Sequence, residues 1–89
     1  MIKTEFTWVS DYPLHARPAG IIVSIASKFS SNVTLETNNS SANAKGLFSL
    51  MGLALKKGEK VTLSVDGSDE AEVEEAISKF LLDGLASKA

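Results

Sequence analysis

The chain reads as an α+β fold of the open-faced β-sandwich kind: a four-stranded antiparallel sheet with three helices on one face, in the order βαββαβα. Three observations predict it. Short segments with apolar–polar alternation recur along the chain, the signature of half-buried strands. Between and after them come segments whose apolar residues repeat at three and four positions, the signature of one-sided helices. The second phase of the strands is polar, so water can cover the sheet face that the helices leave bare. At 89 residues the chain (1–89) is expected to form one domain, since a second core would not fit.

Ile2, Thr4, Phe6 and Trp8 alternate with Lys3, Glu5, Thr7 and Val9 and predict the first strand. Ser10-Asp11-Tyr12-Pro13 turns the chain, because proline fixes its own φ and pushes the preceding residue toward extended geometry. A helix follows. Pro18 fits only its first turn, and Ala19, Ile22, Val23, Ala26 and Phe29 form its apolar stripe. Ser30-Ser31-Asn32 should close it, after which Val33, Leu35 and Thr37 mark the second strand. Asn38-Asn39-Ser40 suits a hairpin turn into a short return strand over 41–44. The second helix is expected from Gly46 to Leu55, with a stripe of Leu47, Leu50, Met51 and Ala54 and a stop at Lys56-Lys57-Gly58. Val61, Leu63 and Val65 predict the fourth strand, and Asp66-Gly67 turns the chain again. Ser68 or Asp69 should cap the last helix, whose stripe is Val73, Ala76, Ile77, Phe80 and Leu81.

Composition narrows the function. There is no cysteine and only one histidine, so neither a thiolate nor a multi-histidine metal site is expected, and no cofactor is called for. The net charge is −2 and the lysines do not form a stripe, which argues against nucleic-acid binding. No stretch reads as a signal peptide or bilayer span, which favours a cytoplasmic protein without membrane insertion. Residues 66–75 are acidic, whereas Lys45, Lys56, Lys57 and Lys60 cluster mid-chain. Two solvated faces are the simpler reading, and a docking surface is the other.

His15 falls at the junction of a turn and a helix rather than in an apolar stripe. A helix start leaves N–H groups unpaired and carries partial positive charge, so it favours an anion. The imidazole is a nucleophile that can hold a phosphoryl group as a phosphoramidate, and Arg17 adds a planar, permanently charged fork that matches phosphate oxygens. Phosphoryl transfer demands positioning and charge stabilisation more than further covalent chemistry, so a small site suffices. A lone histidine at a helix start is more often a surface or local hydrogen-bonding group, however. The spacing His-x-Arg-Pro alone leaves both readings open.

The wider sequence adds to this. Leu14-His15-Ala16-Arg17-Pro18-Ala19 resembles the signature of HPr, the histidine-containing phosphocarrier family of the bacterial sugar phosphotransferase system. Ala26-Ser27-Lys28-Phe29, Ala42 to Leu55 and Gly67-Ser68-Asp69-Glu70 are similar to further segments of that family, so the likeness covers nearly the whole chain. The resemblance implies that His15 accepts a phosphoryl group on Nδ1 from Enzyme I, charged by phosphoenolpyruvate. It would then donate the group to the IIA domains of sugar permeases. By the same likeness Arg17 stabilises the group, the Ala16 and Arg17 amides cradle it, and partners dock around Gly20, Leu47, Phe48, Met51 and Gly52. For Leu47 and Phe48, simple core packing is the competing expectation.

Two positions depart from the family pattern. Gly46 stands where many members carry a regulatory serine, so phosphorylation there is excluded, although Gly46 can still begin a helix. Ser49, one turn on, is the residue that would have to replace it. Tyr12-Pro13 stands where the family usually has a glycine, and proline stiffens the approach to His15. The alternatives to a sugar phosphocarrier are a regulatory module of the same fold, as in a nitrogen-type phosphotransferase branch, and a stand-alone acid/base enzyme. The second lacks a partner group for the histidine. A monomer is the expected state of a carrier that shows one face to successive partners.

Overall fold

Residues 2–8 alternate as their sequence demands, and the computed structural model, which describes residues 1–89, turns that alternation into β1 (Ile2–Trp8). Phe6 and Trp8 are buried on its inner side, while Lys3 and Glu5 face out. The remaining elements are α1 (Ala16–Ala26), β2 (Asn32–Glu36), β3 (Ser41–Asn43), α2 (Leu47–Met51), β4 (Lys60–Asp66), α3 (Glu70–Leu81) and β5 (Ala86–Lys88). All strand pairs are antiparallel, in the spatial order β3-β2-β4-β1-β5. The central pairs set Leu35 beside Leu63, Val33 beside Val65 and Phe6 beside Val61. These apolar residues therefore share one face, because a slip of one residue would turn them all outward.

The three helices cover that face. Ala19, Ile22 and Ala26 of α1, Leu50 of α2, and Val73, Ile77 and Leu81 of α3 join the strand residues in one core. The small residues of α1 let its backbone approach closely, and α1 packs on both α2 and α3. The outer face is polar. There Ser64 Oγ donates to Glu36 Oε1 at 2.8 Å, and Lys60 pairs with Glu5 at 3.8 Å.

Four details differ from the sequence expectation. The sheet gains a fifth strand, because Gly84 at φ 101° reverses the chain and returns Ala86–Lys88 along β1. α1 ends at Ala26, and Phe29 packs on the core from the following turn, where Lys45 Nζ donates to its carbonyl at 2.8 Å. α2 is only five residues long. Beyond Gly52 the chain straightens, Leu53 and Leu55 are buried and Ala54 is exposed, so the apolar period has changed from helical to alternating. Gly58, at φ 93°, serves the turn into β4 rather than a helix end, and its N–H donates to Trp8 O at 2.7 Å.

The fourth concerns α3. Asp69 stands at its N-cap, but its carboxylate does not cap that helix. It accepts instead from the N–H groups of Ser30 (3.0 Å) and Ser31 (3.1 Å) and from the Ser31 hydroxyl. These bonds, that of the Ser31 hydroxyl first, hold the Asp69 carboxyl below the usual carboxylate range. Asp69 thus ties the start of α3 to the chain entering β2.

Candidate functional site

Leu14 and Pro18 are buried on either side of His15, Ala16 and Arg17, which are all exposed. This inside–outside pattern lifts three consecutive residues off the core at the start of α1. His15 is the N-cap residue, with extended backbone (φ −93°, ψ −176°), and its carbonyl accepts the Ala19 N–H at 3.0 Å. The next two N–H groups, of Ala16 and Arg17, have no acceptor in the protein, and Pro18 has none to offer. No acidic residue lies in the first turn of α1 to neutralise its positive end.

Neither candidate side chain is used by the fold. The His15 imidazole makes no hydrogen bond, and the Arg17 guanidinium takes part in no ion pair or hydrogen bond. A nucleophilic ring, a fixed cation and two free N–H donors are therefore presented together from one turn of backbone. An oxyanion with several oxygens is the ligand that this set of donors suits.

The loop before His15 is held from below. Val9 and Ser10 donate to Leu85 O at 2.9 and 3.2 Å. The Trp8 indole donates from Nε1 to Tyr12 O at 2.9 Å, and Asp11 pairs with Lys57 at 3.1 Å. Tyr12 itself is 69% exposed.

The expected docking residues lie on α1 and α2, which touch each other. Phe48 is 85% exposed and Met51 41% exposed, and Gly52 is exposed at the end of α2. Leu47, by contrast, is half-buried against the core, and Gly20 is half-buried on α1. So the packing expectation holds for Leu47, and not for Phe48. Ile21, 40% exposed on α1, is a further exposed apolar side chain, which the sequence reading left outside the α1 stripe. Beside this surface an open groove of about 530 Å³ runs along Pro13, Met51 and Leu53 to Lys56 and Lys57. A larger depression of about 850 Å³ lies along α3 and β5, lined mostly by charged side chains, and contains none of the candidate site residues.

Gly46 is the N-cap of α2. A Cβ there would lie 3.3 Å from that of Ser49, whose hydroxyl accepts the Asn43 N–H at 3.2 Å. No three His, Cys, Asp or Glu side chains gather where a metal ion could be held. No helix is long and apolar enough to cross a membrane.

Comparison with known proteins points to one family. Residues 2–83 match the family model described as the PTS HPr component phosphorylation site. The phosphocarrier protein HPr of Lysinibacillus sphaericus is 41% identical over 87 residues, spanning 97% of this chain and 99% of the relative. Among solved structures, the histidine-containing phosphocarrier protein of a Mycoplasma superposes with a TM-score of 0.87 at 35% identity, covering 92% of this chain and 93% of the other. A structure described as an HPr dimer from Thermoanaerobacter tengcongensis is 44% identical, with a TM-score of 0.65 over 75% of this chain and 83% of its own.

Proposed function

The chain belongs to the HPr family of phosphotransferase-system phosphocarriers, and on that footing we propose that it takes a phosphoryl group onto His15 from Enzyme I and passes it to IIA domains of sugar permeases. The observation that carries this reading is the exposed His15 beside an Arg17 with no partner in the protein, at a helix start whose first N–H groups are free.

In the accepting step the lone pair of a ring nitrogen, Nδ1 by family likeness, forms a bond to phosphorus. The bond from phosphorus to the donor breaks, and its electron pair leaves with the donor. No proton need enter the protein from the donor, and the reverse sequence delivers the group to the next partner. The three phosphoryl oxygens carry negative charge throughout. Arg17 and the N–H groups of Ala16 and Arg17 are the groups that would stabilise it. Because they form no bonds within the fold, they need not give one up when the phosphoryl group arrives.

Phe48 and Met51, with Gly20, Leu47 and Gly52, form the surface on which both partners dock. An apolar patch next to the reactive ring brings reacting atoms together without a deep pocket, which suits short-lived complexes. Gly46 offers no hydroxyl for a serine kinase, and the Ser49 hydroxyl is engaged with the Asn43 backbone. The carrier therefore escapes that form of control. It works as one cytoplasmic domain and as a monomer, which light scattering at working concentration tests.

Incubation with labelled phosphoenolpyruvate and Enzyme I is the direct assay. The protein should acquire an acid-labile, base-stable phosphate, and His15→Ala should acquire none. Absence of label on the native chain, under conditions that charge another HPr, overturns the reading.

A further inference from the structure

We propose that Trp8 is a positioning residue for phosphoryl transfer, acting through its indole N–H on the loop that carries His15. This rests on the phosphocarrier reading above and adds to it a residue outside the exposed site.

The backbone of residues 11–14 makes no backbone–backbone hydrogen bond at all. The Tyr12 N–H reaches only the Ser10 hydroxyl at 3.2 Å, and Pro13 has no N–H. The segment is nevertheless ordered against the core through three attachments. Leu14 is buried, Asp11 meets Lys57 in an exposed ion pair, and the Trp8 indole donates to Tyr12 O at 2.9 Å. An exposed pair contributes little under salt screening. Burial of Leu14 fixes depth but not direction. The indole bond is the one made by a buried donor, and it joins the sheet to the peptide three residues before the reactive ring.

Trp8 is itself held on several sides. It is 1% exposed, its backbone N–H donates to Glu59 O at 2.8 Å, its carbonyl accepts from Gly58 at 2.7 Å, and it pairs with Ala86 of β5. An indole is a donor only, so one buried in a core must aim its N–H at some acceptor. Here that acceptor is the carbonyl that precedes Pro13. Proline restricts Tyr12 to extended geometry and has a fixed φ of its own. Holding Tyr12 O therefore sets the path of Pro13 and Leu14 up to the His15 N-cap.

The test replaces the Trp8 side chain by its benzothiophene analogue, which keeps the shape and removes the N–H. Transfer from Enzyme I is measured as kcat and KM, with the melting temperature of each protein. The expected result is an unchanged KM and a melting temperature within a few degrees of native, with kcat lowered about fivefold, the equivalent of one neutral hydrogen bond. A native kcat in the analogue overturns the inference while leaving the phosphocarrier reading intact. A native protein that takes no phosphate overturns both. Should the analogue not fold, Trp8→Phe, which also lacks the N–H, takes its place: a lowered kcat at unchanged KM supports the inference, and a native kcat overturns it.

Discussion

Arg17 stands on α1 with its guanidinium exposed and unpaired, so the fold gains nothing from its charge. Arg17→Ala should therefore melt with the native protein yet transfer phosphate about 10²-fold more slowly, the usual cost of losing one donor to a transferring oxyanion. Equal rates would remove Arg17 from the mechanism. Phe48 makes a matching case on α2. At 85% exposure, its truncation to Ala should move stability by less than about 0.5 kcal/mol. The same variant should raise KM for Enzyme I, and an unchanged KM would place docking elsewhere. The family resemblance carried these expectations in the sequence, because a histidine and an arginine at a helix start form a local pattern that by itself leaves a plain surface role open. The indole of Trp8 was not legible in that way. Its contact runs back from a turn onto a strand residue, and alternation marks Trp8 only as one more inward side chain.

Between elements, the contacts of Asp69 and Gly67 matter most. The Asp69 carboxyl is depressed by its bonds to Ser31 and Ser30, so its ionised form favours the folded chain. That stability is complete above the ordinary carboxylate value of about 3.9 and is lost as pH falls through the lower, folded value. Glu70 contributes with the same sign, depressed by its bonds from the Met1 amine and the Gly67 N–H. Asp69→Asn should flatten the acid limb of a denaturant-midpoint profile, and an unaltered limb would contradict the tie. Gly67 is needed for space. A Cβ there would run into Ser31 Oγ and lie 2.7 Å from Ser31 Cα, so backbone must move. Gly67→Ala should cost about 1–3 kcal/mol, read from chemical denaturation, as other overpacked sites do. The sequence placed an acidic residue at the start of the last helix and assigned it to that helix. What it could not contain is the pair of neighbours, 39 and 38 residues earlier in the chain, that use the carboxylate instead.

At the scale of the molecule, the alternation of β1, β2 and β4 and the stripes of α1 and α3 sufficed to specify the layers, since each pattern allows only one buried face. The failures of periodicity come where segments are short. Residues 53–55 continue the apolar content of α2 but not its period, and five helical residues are too few to distinguish the two. The strand at 86–88 has only three residues and one buried side chain, so it shows no alternation to read. That strand still matters for the site, because the chain that reaches it passes Leu85, whose carbonyl holds Val9 and Ser10. At the start of α1 the fold leaves ring, guanidinium and two amides without internal partners and open to solvent. Phosphorus NMR of the protein charged by phosphoenolpyruvate and Enzyme I tests this most directly. A single phosphoramidate resonance, coupled to the His15 ring and absent from His15→Ala, is the predicted result; a resonance assigned to any other side chain would contradict it.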